Sequence, residues 1–167
     1  MKGIFDMVDR VQVKEFCVKN LLVPFEGTGP MDKKGNFLAY KDAVGVVTIA
    51  WGITTDESNK PISMDAVWSE DRARKRKEAI LDDFLNRLLQ ASPVLEKQPV
   101  KRVAAVLSWV YNLGIGNYLK STFKKKIDIQ AWGDAYVECK KWDKAGGKVL
   151  KGLTRRREAE AVLIIRP

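Results

Sequence analysis

The segment Tyr40–Gly52 constrains the fold most, because it is a short β-hairpin pattern in a chain whose other patterned segments are helical. Gly45 supplies the turn, since glycine adopts a positive φ at little cost. The residues that follow it are mainly β-branched or aromatic, which suits a pleated and half-buried surface. Asp42 precedes the turn and Thr48 follows it, so an antiparallel hairpin can present both side chains on one face.

Helical periodicity covers most of the remaining chain, and polar or glycine-rich stretches between the periodic segments predict loops. Pro24 disfavours helical backbone at the preceding residue, so we expect the first helix to break or kink just before Glu26. Ser63 is the predicted N-cap of a long helix. The predicted helices cover Asp9–Leu22, Ser63–Ala91, a segment from Pro99 that ends within Asn112–Asn117, Leu119–Ile127, Ala131–Trp142, and a segment from Thr154 onward.

These elements predict an α+β, mostly helical fold, in which a long helix joins a small β-hairpin lobe to a larger helical lobe. The 167 residues fit a single domain, 1–167. A chain of this length buries roughly 70% of its unfolded surface, so it needs no disulfide or metal to be stable. We expect about 26–62 to form the small lobe with its cleft, and about 63–167, with the N-terminal helix, to form the linker helix and the helical lobe.

The composition excludes several classes of function. The chain has no histidine, which removes Ser-His-Asp and Cys-His catalysis and most zinc sites. Its net charge of +9, from 30 basic and 21 acidic residues, predicts an acidic partner such as nucleic acid, a membrane surface or a cell-wall polymer. We expect the basic runs Arg72–Lys77 and Lys124–Lys126 to be mostly solvated faces that together can hold the protein on an anionic wall or membrane.

Two features bear on the compartment in which the protein is made. The two cysteines, Cys17 and Cys139, are too few for a disulfide scaffold and favour a reducing compartment, although the sequence leaves open whether they meet. The first ten residues contain no long apolar run. We therefore expect neither a cleavable signal nor a membrane anchor.

Glu26 and Asp42 offer the pair of carboxyl groups that acid–base hydrolysis of an acetal requires. Glu26 follows an apolar segment, and apolar surroundings help a carboxylic acid to keep the proton that it donates to the leaving oxygen. Asp42 suits the role of base, and Thr48 can hold the same water. Carboxyl groups about 6.5–9.5 Å apart predict inversion, whereas a separation of about 5 Å predicts a retaining path. The residues alone leave open that Glu26 is a helix-end charge, Asp42 a turn residue and Thr48 an ordinary strand residue.

Several short motifs occur in a fixed order along the chain from Phe16 onward. They are Glu26-Gly27, Tyr40-Lys41-Asp42-x-x-Gly45-x-x-Thr48-Ile49, Tyr111-Asn112-Leu113-Gly114, Ser121-Thr122-Phe123, Trp142, Gly146-Gly147-Lys148 and Gly152-Leu153-x-Arg155-Arg156-Arg157-Glu158-Ala159-Glu160. Each motif alone is weak, but their order resembles that of the phage-type lysozymes, glycoside hydrolase family 24.

This resemblance implies a two-lobed lysozyme-like fold and an endolysin muramidase that cleaves peptidoglycan between N-acetylmuramic acid and N-acetylglucosamine for host cell lysis. It implies a catalytic triad of Glu26, Asp42 and Thr48, with an inverting outcome and with neither a metal nor a cofactor. One arginine of Arg155–Arg157 is implied beside Glu26, and we expect it to be Arg156. We further expect a monomer that stays in the host cytoplasm until lysis, leaves through a separate holin, and acts on the wall in the periplasm.

The sequence departs from the family pattern around the triad. The loop Gly27–Ala39 is several residues longer than in compact members, and Ile53 replaces a frequent histidine. Trp51 is a candidate for stacking on a sugar, with core packing as the alternative. Asn112 is a candidate substrate contact, with a role at a helix end as the alternative.

Three other functions compete with the muramidase hypothesis. A lytic transglycosylase would act on the same bond with the glutamate alone, and Asp42 and Thr48 argue against it. A nucleic-acid-binding protein is permitted by the charge of +9, but no motif supports one and we expect no nucleic-acid partner. A non-catalytic wall-binding protein is disfavoured by the intact triad.

Overall fold

The computed structural model describes residues 7–167, which form two compact units. The small unit is Val18–Ile80, and the large unit combines the described residues up to Cys17 with Leu81–Pro167. The helices are α1 (Arg10–Cys17), α2 (Val23–Glu26), α3 (Glu70–Ala91), α4 (Val100–Leu113), α5 (Ile115–Lys120), α6 (Thr122–Asp128), α7 (Trp132–Lys140) and α8 (Lys151–Ile165), with a π-helical turn at Val18–Leu22 and a 3-10 turn at Pro93–Lys97. The strands are β1 (Phe37–Leu38), β2 (Tyr40–Lys41), β3 (Val47–Thr48), β4 (Val67–Trp68), β5 (Lys144–Ala145) and β6 (Lys148–Val149).

The predicted hairpin is confirmed as the antiparallel pair β2–β3 of the small unit. Tyr40 is opposite Thr48 and Lys41 is opposite Val47, and Gly45 in the turn has a φ of 84°. The chain after β3 supplies most of the apolar core of this unit. The buried core residues are Phe37, Ile49, Ala50, Trp51, Ile53, Ile62, Trp68 and Ala73.

The long helix begins later than predicted. Its N-cap is Ser69, whose Oγ accepts a hydrogen bond from the backbone N–H of Arg72 at 3.2 Å, and not Ser63. The intervening residues include β4, which pairs antiparallel with β1 so that Trp68 lies opposite Phe37 and both rings are buried. Both serines satisfy the chemistry of an N-cap. The choice between them depends on pairing with a strand that is distant in sequence.

Of the predicted break or kink of the first helix just before Glu26, the break does not occur. The π-helical turn follows α1 directly, and α2 then carries helical backbone as far as Glu26. Pro24 lies in the first turn of α2, where a missing N–H removes no helical hydrogen bond. Gly27 ends the helix with a φ of 66°, so Glu26 is the last residue of a helix.

The large unit is built on α4, which confirms the prediction of a central buried helix. All residues from Val103 to Val110 are buried. The Trp109 ring contacts those of Tyr118, Phe123 and Trp142, with centroid distances of 6.0, 5.0 and 5.1 Å. The α4 helix packs against α1 and α8.

Three predicted boundaries in the large unit shift. The predicted helix at Leu119–Ile127 is split into α5 and α6 by Ser121, whose Oγ accepts from the N–H of Lys124 and caps α6. The ends of the predicted loop Ala145–Lys148 belong to β5 and β6, so that only Gly146 and Gly147 form the turn, and α8 begins at Lys151. Within residues 7–167, no helix has the length and apolar character needed to cross a bilayer.

Candidate active site

The Glu26 carboxylate is held by a buried lysine within the small unit. Lys77 Nζ lies 2.6 Å from Glu26 Oε2 and 2.5 Å from the carbonyl oxygen of Trp51. The Lys77 side chain is fully buried, whereas that of Glu26 is 15% exposed. The ammonium group therefore donates to the carboxylate and to a backbone carbonyl at the same time, and Glu26 keeps a solvent-facing part.

Lys77 is the principal site residue that sequence reasoning missed. The run Arg72–Lys77 was expected to be a solvated face, but Arg76 and Lys77 are both buried. The helical spacing contained a signal, since Ala73, Lys77 and Leu81 are four residues apart and all are fully buried. A buried cation within an apolar stripe requires hydrogen-bond partners, and for Lys77 these include the Glu26 carboxylate and the Trp51 carbonyl.

Arg72, at the start of the basic run, lies on a solvated face as expected. Arg72 is exposed and pairs with Glu57 through two hydrogen bonds of 2.8 and 2.9 Å. The hydrogen bond from Arg72 lowers the pKa of Glu57 to about 2.

The buried Arg76 donates to the Thr55 carbonyl, to the Thr55 hydroxyl and to Asn59 Oδ1, at 3.0, 2.9 and 2.9 Å. These contacts fasten the loop before β4 to the start of α3.

A tight bend after β3 brings backbone to the Glu26 carboxylate. Gly52 has a φ of 77°, and its N–H donates to the carbonyl of Ala50 at 2.7 Å. A Cβ built on Gly52 would lie 3.6 Å from Glu26 Oε2. The same bend directs the carbonyl of Trp51 to Lys77. The bend therefore binds Lys77 through the Trp51 carbonyl and lies beside the Glu26 carboxylate.

Asp42 closes the turn of the hairpin. Its Oδ1 accepts the N–H groups of Val44 and Val46 at 3.0 and 2.9 Å, and its own N–H donates to the carbonyl of Val46 at 2.9 Å. The side chain is only half-buried. One carboxylate oxygen thus fixes the turn, which orients the other.

Thr48 lies on the same face of the hairpin as Asp42. Because Tyr40 is opposite Thr48 and side chains alternate along a strand, Asp42 is diagonal to Thr48 on that face and not directly opposite it. The Thr48 side chain is buried, and its Oγ1 donates to the carbonyl of Val46 at 3.1 Å. With its proton directed at that carbonyl, the hydroxyl oxygen can accept a hydrogen bond from a water molecule.

The long loop after Glu26 is closed by its own polar contacts. Asp32 accepts the N–H groups of Lys34 and Asn36 at 2.8 and 2.9 Å, and the Asn36 amide donates to its second oxygen at 2.9 Å. These hydrogen bonds, with that from the Asn36 side chain foremost, lower the pKa of Asp32. Met31 also forms a bridge with Phe37. The loop is therefore a compact turn that leads into β1.

Trp51, the candidate for stacking on a sugar, and Ile53, which replaces a frequent histidine, both lie in the core of the small unit. Trp51 is 5% exposed, and its indole contacts the ring of Phe37 edge to face at 5.1 Å. This burial matches the core-packing alternative for the Trp51 ring, and its backbone carbonyl is the part that contacts the site. Ile53 is fully buried in the same cluster, which explains why an apolar residue occupies this position.

The remaining predicted site residues belong to the large unit. Asn112 is exposed in the last turn of α4, and Gly114 ends that helix with a φ of 90°. Arg156 is buried and lies 3.3 Å from Glu160 Oε1 and 3.3 Å from Ser108 Oγ. A contact between Arg156 and Glu26, and a substrate contact by Asn112, stay predictions.

The chain is similar to a known protein family and to several phage proteins. The family model described as Phage lysozyme matches residues 35–160, a range that includes Asp42 and Thr48 and begins after Glu26. A SAR-endolysin of Bacteriophage PS119 is 34% identical over 139 residues, which cover 80% of this chain and 78% of that protein. A SAR-endolysin of Enterobacteria phage P21 is 32% identical over 139 residues, covering 80% of this chain and 79% of that protein.

Solved structures show the same fold. An endolysin from Escherichia coli O157:H7 phage FAHEc1 matches with a TM-score of 0.73 at 23% identity, over 99% of this chain and 96% of that chain. The muramidase domain of SpmX from Asticaccaulis excentricus matches with a TM-score of 0.70 at 20% identity, over 96% of this chain and 98% of that chain. These likenesses confirm the predicted lysozyme-like, mostly helical α+β fold class.

Proposed function

The chain belongs to the phage lysozyme family, and from this premise we propose that it hydrolyses the β-1,4 bond between N-acetylmuramic acid and N-acetylglucosamine in peptidoglycan. It is a peptidoglycan-lytic endolysin, as its endolysin relatives indicate. The observation that supports the specific chemistry most is the register of β2–β3. It gives Asp42 and Thr48 a common face, in the same compact unit as Glu26.

Glu26 is the general acid of this proposal. As a carboxylic acid it donates its proton to the glycosidic oxygen while the bond from that oxygen to the anomeric carbon breaks, so that it becomes a carboxylate. Its partly exposed side chain at the end of α2 supports this role, because a proton donor must reach the substrate.

Asp42 and Thr48 act on the water. The water oxygen bonds to the anomeric carbon on the face opposite the leaving group, and its proton passes to the Asp42 carboxylate. Thr48 accepts a second hydrogen bond from the same water. The products are two sugar chains with one water added. Proton exchange with solvent then restores the acid Glu26 and the carboxylate Asp42. Attack on the opposite face inverts the anomeric configuration.

The proposal also covers where the protein acts, how it reaches the wall and which further residues contact the site. The endolysin stays in the host cytoplasm, leaves through a separate holin, and acts as a monomer on the wall in the periplasm. The net charge of +9 supports electrostatic attraction to an anionic wall or membrane surface. Arg156 approaches Glu26 and Asn112 contacts the glycan in this proposal.

The deciding experiment is a turbidity assay on bacteria with a permeabilised outer membrane, with the wild-type protein and Glu26→Gln. The wild-type protein should lyse the cells, and the variant should fold normally, as circular dichroism would verify, without lysing them. An active Glu26→Gln variant would contradict the role of Glu26. Mass spectrometry of the digested wall should find products that carry the added water, since anhydro-sugars would instead identify a lytic transglycosylase.

Two further measurements test the inverting outcome and the competing function of nucleic-acid binding. NMR of freshly cleaved soluble fragments should detect the inverted anomer before mutarotation, and the retained anomer would rule out direct attack by water. If the protein instead bound nucleic acid with the steep salt dependence typical of phosphate contacts, and lysed no cells, the enzymatic proposal would fail.

A further inference from the structure

We propose that Lys77 is a positioning residue for the general acid, an inference that rests on the proposed role of Glu26. Its Nζ donates to Glu26 Oε2 at 2.6 Å and to the Trp51 carbonyl at 2.5 Å, from a side chain with no exposed surface. A buried ammonium group is costly unless its hydrogen bonds are satisfied. The partners of Lys77 include a backbone carbonyl and the carboxyl group on which the chemistry depends.

The Trp51 carbonyl makes the position of Lys77 independent of the substrate. Trp51 lies in the core of the small unit, and the bend at Gly52 fixes the direction of its carbonyl. The ammonium group is therefore anchored by rigid backbone before any substrate binds. Through Lys77, this backbone fixes the rotation of the Glu26 carboxyl group.

Lys77 also distinguishes the two oxygens of Glu26. An ammonium group only donates hydrogen bonds, so a proton on Oε2 could not be directed at it. When Glu26 is protonated, Oε2 therefore serves as the acceptor from Lys77, and the transferable proton is carried on Oε1. Lys77 in this way selects the atom from which the proton leaves.

The charge of Lys77 favours the transition state over the ground state. Negative charge develops on Glu26 as its proton passes to the glycosidic oxygen, and a fixed cation in a buried site stabilises that charge more than it stabilises the neutral acid. Such an interaction raises kcat and leaves substrate binding largely unchanged. This pattern differs from that of a residue that only supports the fold.

The test compares Lys77→Met, which keeps an unbranched side chain that is one atom shorter and removes the charge, with Arg76→Met as a matched control. Arg76 is the neighbouring buried cation on α3, and its described hydrogen bonds are to Thr55 and Asn59. Steady-state kinetics on soluble peptidoglycan fragments should give a kcat about 100-fold lower for Lys77→Met, with KM within about threefold of wild type. Arg76→Met should keep kcat within about threefold, even where its melting temperature falls.

Two further variants keep the proposal testable if the methionine variant does not fold. Lys77→Gln retains a polar donor in the buried site without charge and should also lose at least about tenfold in kcat. In Lys77→Ala, added propylammonium should restore part of kcat, whereas neutral propanol of nearly the same shape should not.

Several outcomes would overturn the proposal for Lys77. They are a kcat for folded Lys77→Met or Lys77→Gln as high as that of Arg76→Met, a change in KM alone, or equal rescue by amine and alcohol. Failure of the proposed function is recognised separately, because the wild-type protein would then release no hydrolysis products or Glu26→Gln would remain active.

Discussion

Asp42 accepts the backbone N–H of Val46 at 2.9 Å, so the residue proposed to activate water also closes the turn that carries it. The second hydrogen bond to the same Oδ1 comes from the N–H of Val44 at 3.0 Å. An aspartate in such a turn has both a structural and a chemical role. The two roles can be separated by substitution, because asparagine supports the same turn without a charge.

Asp42→Asn is expected to fold like the wild-type protein and to lose most of its lytic activity. The asparagine carbonyl can accept from the same two N–H groups, but it is a poor base for the water. Asp42→Ala should lose activity equally and should also lower the free energy of unfolding by about 1–2 kcal/mol, since both hydrogen bonds disappear. Urea unfolding and the rate of turbidity loss measure the two effects. Full activity of Asp42→Asn would exclude Asp42 as the base.

Thr48 allows a similar comparison with two variants. Thr48→Ser keeps the hydroxyl that donates to the Val46 carbonyl at 3.1 Å, so it should retain substantial activity. Thr48→Val keeps the shape but removes the hydroxyl, which should slow lysis and cost about 1 kcal/mol of stability. The rates of both variants should be compared at equal folded fraction. If valine and serine variants lysed cells equally well, water binding by the Thr48 hydroxyl would be unnecessary.

Gly52→Ala tests the bend that contacts the ion pair. Alanine is strained at a φ of 77°, and its Cβ would lie 3.6 Å from Glu26 Oε2. We expect a loss of about 1 kcal/mol in stability from the backbone. We also expect reduced kcat, because displacement of the bend moves the Trp51 carbonyl that anchors Lys77. Gly45→Ala, at a φ of 84° in the hairpin turn with no atom near the added methyl group, is the matched control for strain.

The hairpin could be predicted from the sequence because its signals are local. The β-branched residues after Gly45 and the turn itself lie within a few positions of one another, and the pairing of Tyr40 with Thr48 follows from that turn. The start of α3 could not be predicted in this way. Ser63 and Ser69 have the same capping chemistry, and the pairing of Trp68 with Phe37 decides between them.

The ion pair at the site was harder to predict for the same reason. Glu26 and Lys77 are 51 positions apart, and the residues from Arg74 to Glu78 around Lys77 are all charged. Only the spacing of Ala73, Lys77 and Leu81 marks the buried face. Identification of such a residue from sequence requires every cation in an apolar helical stripe to be matched with a candidate acid elsewhere in the chain.

Glu160 is the centre of a buried charged cluster in the large unit. It accepts from Ser108 Oγ at 2.6 Å and from Arg157 Nη2 at 2.9 Å, and Arg156 lies 3.3 Å away. Glu160→Gln would leave buried positive charge without compensation, so we expect a loss of about 3–5 kcal/mol in unfolding free energy. Asp83→Asn breaks the exposed pair with Arg87 and is the control, with little change expected. Urea titrations should rank the two variants in this order, and similar midpoints would contradict the importance of the cluster.

Cys139 should make stability fall at high pH. Burial, with a smaller contribution from Glu160, raises the pKa of its thiol well above the ordinary value. Above about pH 8.5 the unfolded chain releases this proton while the native protein keeps it, so the native state binds more protons and its stability falls as the pH rises. From pH 7.5 to 9.5, the free energy of unfolding should fall by about 1.4 kcal/mol more in the wild-type protein than in Cys139→Ala. Urea titrations under reducing conditions measure this difference. Because both proteins contain Cys17, its contribution to the pH dependence cancels when the two are compared. Parallel pH profiles for the two proteins would show that the Cys139 thiol titrates equally in the native and unfolded states.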